Sequence, residues 1–257
     1  MNSSNKKPAL AVVNLQKFFL NHSTPLEVLA QISLTVNNHE FVSIIGPSGS
    51  GKSTIFNILA GIEDPTGGEI FLSQKRIMNR KGKFGYMPQD AALLPWKTVL
   101  ENVMLGLIIL GNPKELARRK AFDLLEKFNL TDFANHFPET LSGGMQQRVA
   151  LLRTVLFNPS FLLLDEPFGS LDALTRHEAQ MWLLAAWERF SSSVLFVTHD
   201  IQEAILLSDR IYVISERPAK IIEEVKVNLP RPRALTDLTK SPAVELEKKL
   251  LALLMKT

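Results

Sequence analysis

Phe41-Val-Ser-Ile-Ile45 runs without a break into Gly46-Pro-Ser-Gly-Ser-Gly-Lys52-Ser53, and from Ser53 to Ala60 the apolar residues fall at helical spacing. The first five residues are apolar at all but one position, as in a strand covered on both faces. The next eight match GxxxxGK[ST], in which glycines let successive backbone N–H groups curl around phosphate oxygens. The dipole of the following helix adds favourable potential for an anion. Strand, loop and helix thus stand in the order a nucleotide-phosphate site requires. Its predicted binding residues are Gly46, Pro47, Ser48, Gly49, Ser50, Gly51, Lys52, Ser53 and Thr54. Lys52 is expected to reach the β- and γ-phosphates of ATP, and the Ser53 hydroxyl to ligate Mg²⁺.

Phosphoryl transfer also needs an acidic residue at the end of another parallel strand, and Phe161-Leu-Leu-Leu-Asp165-Glu166 supplies one. Asp165 is expected to hold Mg²⁺, mainly through water, and Glu166 to accept a proton from the attacking water. A carboxylate after an apolar run is usually only a solvated strand end, so this reading depends on Lys52 being in the same chain. A third segment, Leu141-Ser-Gly-Gly-Met-Gln-Gln-Arg148, is a glycine turn opening a helix. Ser142, Gly143 and Gly144 there form a second anion-binding edge. One chain therefore carries two phosphate-binding edges, with one ATP expected per loop.

Composition narrows the class. The 257 residues are 46% hydrophobic and 21% charged, enough to bury a proper core. Lys+Arg 29 against Asp+Glu 26 leaves +3, and the basic residues are scattered, so a nucleic-acid binder is not indicated. The absence of cysteine excludes a disulfide framework, a thiolate metal site and a cysteine nucleophile. The longest apolar run, Val103 to Leu110, is too short to span a bilayer, and the N-terminal MNSSNKKPAL lacks the apolar stretch of a secretory signal. The expected location is cytosolic.

Along the chain, short strands and turns are predicted over residues 10–45 and 62–88, with Pro25, Asn37 and Asn38 in the turns. Helical offsets run through residues 99–156, including Phe122 and Phe128, with Pro113 near a helix start and Pro138 in a break. Buried strands follow at Phe161 to Leu164 and Val194 to Thr198, around a helix over about 174–190. Strands alternating with helices imply a parallel sheet. After the turn Leu229-Pro-Arg-Pro-Arg233, residues 243–256 place Leu246, Leu250, Leu253 and Leu254 on one helical face, expected to pack on their own domain.

These motifs, in this order over residues 10 to about 220, closely resemble the ATP-binding cassette family, the ATPase subunits of membrane transporters. The resemblance implies an α/β fold: a P-loop NTPase core with a mixed, mainly parallel sheet, an N-terminal antiparallel β subdomain and an inserted α-helical subdomain. The implied bounds are 1–88 with 159–228 for the nucleotide-binding core, 89–158 for the helical signature subdomain, and 229–257 for the tail and its helix. It also implies a head-to-tail dimer, in which Ser142, Gly143, Gly144 and Gln146 of one copy close over the nucleotide on the other's P-loop. Phe19, in Lys17-Phe-Phe-Leu20, falls where the family stacks an aromatic on adenine, with Phe18 a neighbouring candidate. Gln89 falls where a glutamine touches Mg²⁺ and the attacking water and links the site to the transmembrane partner. Ser170-Leu-Asp172 resembles the loop joining the two sites across the dimer, and His199 the histidine that contacts the γ-phosphate. His39-Glu40 and Met87-Pro88 depart from the family's frequent pattern without removing a chemical group.

Within the family, residues 93–103, 168–176 and the 217–233 tail resemble the importer subgroup for nitrate, bicarbonate, aliphatic sulfonates and taurine. No long C-terminal extension of the sugar-importer kind is expected. The implied partners are transmembrane permease subunits, a second copy of the chain or a homologous ATPase, and indirectly a solute-binding protein, with no nucleic acid. The implied location is peripheral, on the cytoplasmic face of the membrane. Leu93, Leu94 and Trp96, apolar residues in a predicted loop, are expected to line a groove for a short helix of the permease. A DNA- or ribosome-directed cassette would need a coiled-coil insertion or a second P-loop, which the sequence lacks. A non-catalytic scaffold would lack the base or the histidine, whereas Glu166 and His199 are present.

Overall fold

A computed structural model describes residues 8–21, 24–157, 160–190 and 192–256. In chain order the first elements are β1 (Pro8–Asn21), β2 (Thr24–Asn37), β3 (Phe41–Ile45), α1 (Lys52–Ala60), β4 (Gly67–Leu72), β5 (Lys75–Arg76) and β6 (Gly85–Met87). Next come α2 (Val99–Ile109), α3 (Lys114–Lys127), α4 (Gly143–Leu156), β7 (Phe161–Asp165) and α5 (Ala173–Phe190). The chain ends with β8 (Ser193–Val197), α6 (Ile201–Leu207), β9 (Arg210–Ile214), β10 (Ile221–Lys226) and α7 (Ser241–Leu254). The elements pack as two compact units, residues 1–84 with 191–257 and residues 85–190.

In the first unit an antiparallel sheet has the order β2-β1-β4-β5. β2 is its edge strand, which is why Pro25, predicted to lie in a turn, is accommodated at the strand's start: an edge position can do without the missing N–H. A second sheet places β3 between β8 and β9, parallel to both, with β10 antiparallel on β9. All five positions of β3, β8 and β9 are buried, so three apolar strands form the centre of the unit. Phe41 and Phe196 meet across the β3–β8 pair with ring centroids 5.7 Å apart.

The tail helix packs where its leucine face predicts. Ala243 and Leu250 of α7 join Ile45, Ala204, Ile205, Ile211 and Val213 in one cluster, with Leu246, Leu253 and Leu254 against it. The preceding Pro/Arg turn is fixed by Arg233, whose guanidinium donates to the carbonyls of Ile205 (2.9 Å) and Ser208 (2.6 Å) at the end of α6. Burial and the neighbouring Arg231 pull the Arg233 pKa down to about 10, and the cation supplies the cap that the helix C-terminus favours.

In the second unit β6 and β7 form a parallel pair, and α2, α3 and α4 pack on one another. Gly106 lets α2 approach the end of α4, since a Cβ there would lie 3.0 Å from Phe157. The helical period predicted over this region is present, but Phe122 is 39% exposed. The buried stripe of α3 is Ala117, Ala121, Leu124 and Leu125, and Phe122 falls outside it.

Arg210 ties four segments of the first unit together. It donates to both oxygens of Glu40 (2.6 and 2.8 Å) and to the Thr35 carbonyl (2.7 Å), and it pairs with Glu224 at 2.8 Å. Burial alone lowers its pKa, but the bonds to Glu40 and Glu224 outweigh that and keep it protonated. Removing one partner of such a pair leaves the other charge buried, at a cost of about 3–5 kcal/mol. Arg210→Met is therefore expected to lower the thermal midpoint by roughly 10 °C in calorimetry. Glu40→Gln, which keeps an acceptor beside Arg210, is expected to cost distinctly less.

Candidate active site

The phosphate-binding loop is shaped by what cannot fit in it. A Cβ at Gly46 would sit 2.6 Å from the Ile214 side chain and 2.9 Å from its carbonyl oxygen, so the chain leaves β3 with no room for a side chain. Gly49 and Gly51 have φ of 75° and 111°, in the left-handed region. Gly51 is the N-cap of α1, and no side chain caps the helix start that faces the loop. Lys52 is 5% exposed, and its ammonium donates to the carbonyls of Gly46 (2.9 Å) and Pro47 (2.7 Å). A cation is thus held inside the loop. Ser53 and Thr54 follow on α1, both half-buried.

Two further predicted residues lie in the same unit. After β8, the Thr198 N–H donates to Ile44 at 3.4 Å, which sets exposed His199 beside the end of β3 from which the loop departs. The Thr198 hydroxyl bonds to buried Glu203, and Asp200 caps α6 by accepting from the N–H groups of Gln202 and Glu203. Phe19 is half-buried, with the Lys17 ammonium 4.6 Å from its ring centroid. That ammonium is anchored by Glu63 at 3.0 Å and the Asp64 carbonyl at 2.7 Å. Phe18, the alternative, is 37% exposed.

The second unit carries the carboxylates. Asp165, at the end of β7, is 1% exposed, and Tyr86 on the paired strand has its pKa raised well above the usual phenol value by burial and by the Asp165 charge. Glu166 follows in a left-handed backbone conformation, φ 46°, uncommon outside glycine. The Gln89 amide donates to the Glu166 carboxylate at 3.4 Å, which joins the two residues predicted to handle the attacking water. Ser142 is the N-cap of α4, accepting from the Met145 N–H at 3.3 Å. Ser142 and Gly143 are exposed, and a Cβ on Gly143 would meet nothing within 4 Å. Gln146 instead turns its amide back to the Pro138 carbonyl at 2.9 Å. Asp172 is exposed, and its bond to Thr175 holds the carboxyl below the usual range.

Ser53 of the first unit offers a hydroxyl, and in the second unit Gln89 offers a carboxamide and Asp165 a buried carboxylate, each an oxygen donor of the hard kind Mg²⁺ takes. Among the described residues no group of three His, Cys, Asp or Glu side chains could hold a metal alone.

A sequence profile of the ABC transporter family matches residues 29–169, which span both units. The chain belongs to the ABC transporter family. As a member, it is an ATPase with the P-loop NTPase fold expected from its motifs. This cassette is 42% identical over 236 residues to the formylaminopyrimidine import ATP-binding protein ThiZ of Halalkalibacterium halodurans, covering 91% of this chain and 92% of that one. It is 40% identical over 227 residues to the aliphatic sulfonates import ATP-binding protein SsuB of Bacillus cereus, covering 88% and 89%. Among solved structures it is similar to the bacterial ABC transporter cassette MJ0796 in its dimeric form. There the TM-score is 0.79 and the identity 34%, over 86% of this chain and 100% of that one. MJ0796 is also solved in a post-hydrolysis state bound to ADP and Pi.

Sequence reading missed the residues that hold the cassette's loops. Arg153 on α4 donates to the carbonyls of Ala91 (2.9 Å) and Ala92 (2.8 Å), just after Gln89. Asn102 on α2, fully buried, accepts from the Leu94 N–H at 2.8 Å and donates to the carbonyls of Leu94, Lys97 and Thr98. Trp96, on the loop so fixed, is 70% exposed, and Leu93 and Leu94 are half-buried. Trp96→Ala is expected to change stability by no more than about 0.5 kcal/mol, the usual range for a surface site. Asn102→Ala is expected to cost about 1–3 kcal/mol and to open residues 91–98 to limited proteolysis. A Trp96→Ala loss as large as that of Asn102→Ala would make the tryptophan part of the core.

Proposed function

We propose that this cassette is the energy-coupling subunit of an importer, a peripheral protein on the cytoplasmic face of the membrane that works with a transmembrane permease. The observation that carries the proposal is the exposure of Trp96 on a loop pinned by Asn102 and Arg153, a few residues beyond Gln89. A large aromatic left in water on a fixed loop is a ready anchor for a partner helix. Among the described residues no helix is long and apolar enough to cross a membrane. Relatives named as import ATP-binding proteins support the direction of transport.

Each site residue is given a role on this reading. The loop N–H groups from Gly46 to Ser53 and the Lys52 ammonium bind the phosphates, and Phe19 stacks on adenine. Ser53 and Gln89 would offer oxygens to Mg²⁺ and Asp165 would hold it mainly through water; the ion would supply charge neutralisation for phosphoryl transfer. Glu166 accepts the proton of the attacking water, Gln89 orients that water, and His199 donates to the γ-phosphate. A second copy, head to tail, contributes Ser142, Gly143 and Gly144, with Gln146 behind them and Asp172 on the linking loop. The transported solute is a small anion of the nitrate, bicarbonate or sulfonate class. The SsuB likeness favours a sulfonate, whereas the ThiZ likeness makes a formylaminopyrimidine the second reading.

Glu166→Gln keeps the shape of the side chain and removes the base. It is expected to retain MgATP binding and to lower hydrolysis roughly 10²–10⁴-fold, as for a lost general acid–base group. For the partner, affinity-tagged chain from native membranes is expected to copurify with a polytopic permease, and Trp96→Ala to lose that permease while keeping ATPase activity. Copurification undiminished by Trp96→Ala would contradict the docking surface.

A further inference from the structure

Glu166 holds a left-handed backbone conformation that an ordinary residue keeps only where surrounding bonds fix it. Two donors converge on its carbonyl oxygen. One is the Gly169 N–H at 3.1 Å, closing the turn after β7. The other is the side-chain amide of Gln147 at 3.4 Å, and that same amide nitrogen also donates to the Gln89 carbonyl at 3.3 Å. Gln147 is 5% exposed and lies on the second turn of α4, the helix that Ser142 caps. The carboxamide has two N–H donors, one for each carbonyl. The two backbones it joins are those whose side chains meet through the Gln89 to Glu166 contact.

We propose that Gln147 is a positioning residue for hydrolysis: its carboxamide fixes the main chain of both Gln89 and Glu166, and so ties their alignment to the helix that begins with Ser142-Gly143-Gly144. Gln147 itself touches neither nucleotide nor water. The inference rests on the reading of Glu166 as base and Gln89 as water-orienting group. It adds that a displacement of α4, the helix offered to the second copy, is passed to both residues through one side chain. When the bonds are lost, the strained backbone at Glu166 relaxes and its carboxylate leaves the water. Nucleotide affinity, which depends on the P-loop of residues 46–53, is unaffected.

Gln147→Met keeps the length and burial of the side chain and removes both donors, and Gln147→Asn serves as a second variant that keeps the amide on a shorter arm. ATP affinity is read by equilibrium binding and hydrolysis by single-turnover kinetics, each in the wild-type and the Glu166→Gln background. The proposal predicts unchanged affinity, a roughly tenfold slower hydrolysis for Gln147→Met, as for the loss of two modest hydrogen bonds, and no further slowing once Glu166 is Gln. The same factor lost in both backgrounds, or loss of ATP binding in both Gln147 variants, overturns it and leaves Glu166 as the base. Wild-type turnover in Glu166→Gln alone overturns the underlying assignment and the proposal with it.

Discussion

The turn from β3 into α1 is the constraint on which the first unit depends. The chain must leave a fully buried strand and enter a helix with no side-chain cap, all against Ile214 and the side chains of Val28 and Leu29. Lys52 completes it by placing its ammonium among the loop's own carbonyls, where the cation offsets the inward-facing oxygens. The flanking strands serve this geometry. β8 and β9 bury β3 from both sides, and the segment after β8 brings His199 to the same strand end. The tail adds Arg233 and α7 beneath α6, which keeps the far end of that segment in place.

In the second unit one helix carries three tasks. The N-terminus of α4 presents Ser142 and Gly143, its second turn holds Gln89 and Glu166 through Gln147, and its last turns hold the loop after Gln89 through Arg153. On the proposed function, the partner surface, the attacking-water geometry and the edge offered to the second copy have to move together. A short helix with buried polar side chains at its turns is a direct way to achieve that, because displacing it breaks hydrogen bonds at both loops at once.

The chemistry was more legible in the sequence than the scaffolding. Phosphate binding demands backbone freedom at fixed spacing, so Gly46 to Ser53 could be read directly, as could the carboxylates after the apolar run ending at Leu164. β9, β10 and α6 escaped notice. α6 has only seven residues, five of them buried, so it shows no polar face to mark a period. β10 alternates exposed positions with half-buried or buried ones, but Ile222 falls on the exposed side and Glu223 on the inner one, which hides the period. Phe122 fell on the helical period yet outside the buried stripe, because Ala117 and Ala121 allow the close approach that defines α3's inner face. Gln147 and Arg153 act by bonding to main-chain carbonyls far away in sequence, and Asn102 by bonding to those of the loop just before its own helix, and no pattern of side-chain types announces such partners. Gln146 shows the converse: it sits beside the glycines but bonds back to Pro138.

The central claim is that the two phosphate-binding edges of this chain act on one nucleotide from different copies. Lys52→Ala disables one edge and Ser142→Arg the other, so each variant alone forms only damaged pockets. Mixed, they form a heterodimer with one pocket damaged on both sides and one intact. The measurement is the amount of ATP trapped per heterodimer, compared with a mixture of wild-type chain and a chain carrying both substitutions, in which every heterodimer pocket is half-damaged. The account predicts one ATP trapped per heterodimer of the single variants and little in the comparison mixture. Equal trapping in the two mixtures, with heterodimers verified, would show that the site is completed within a single chain.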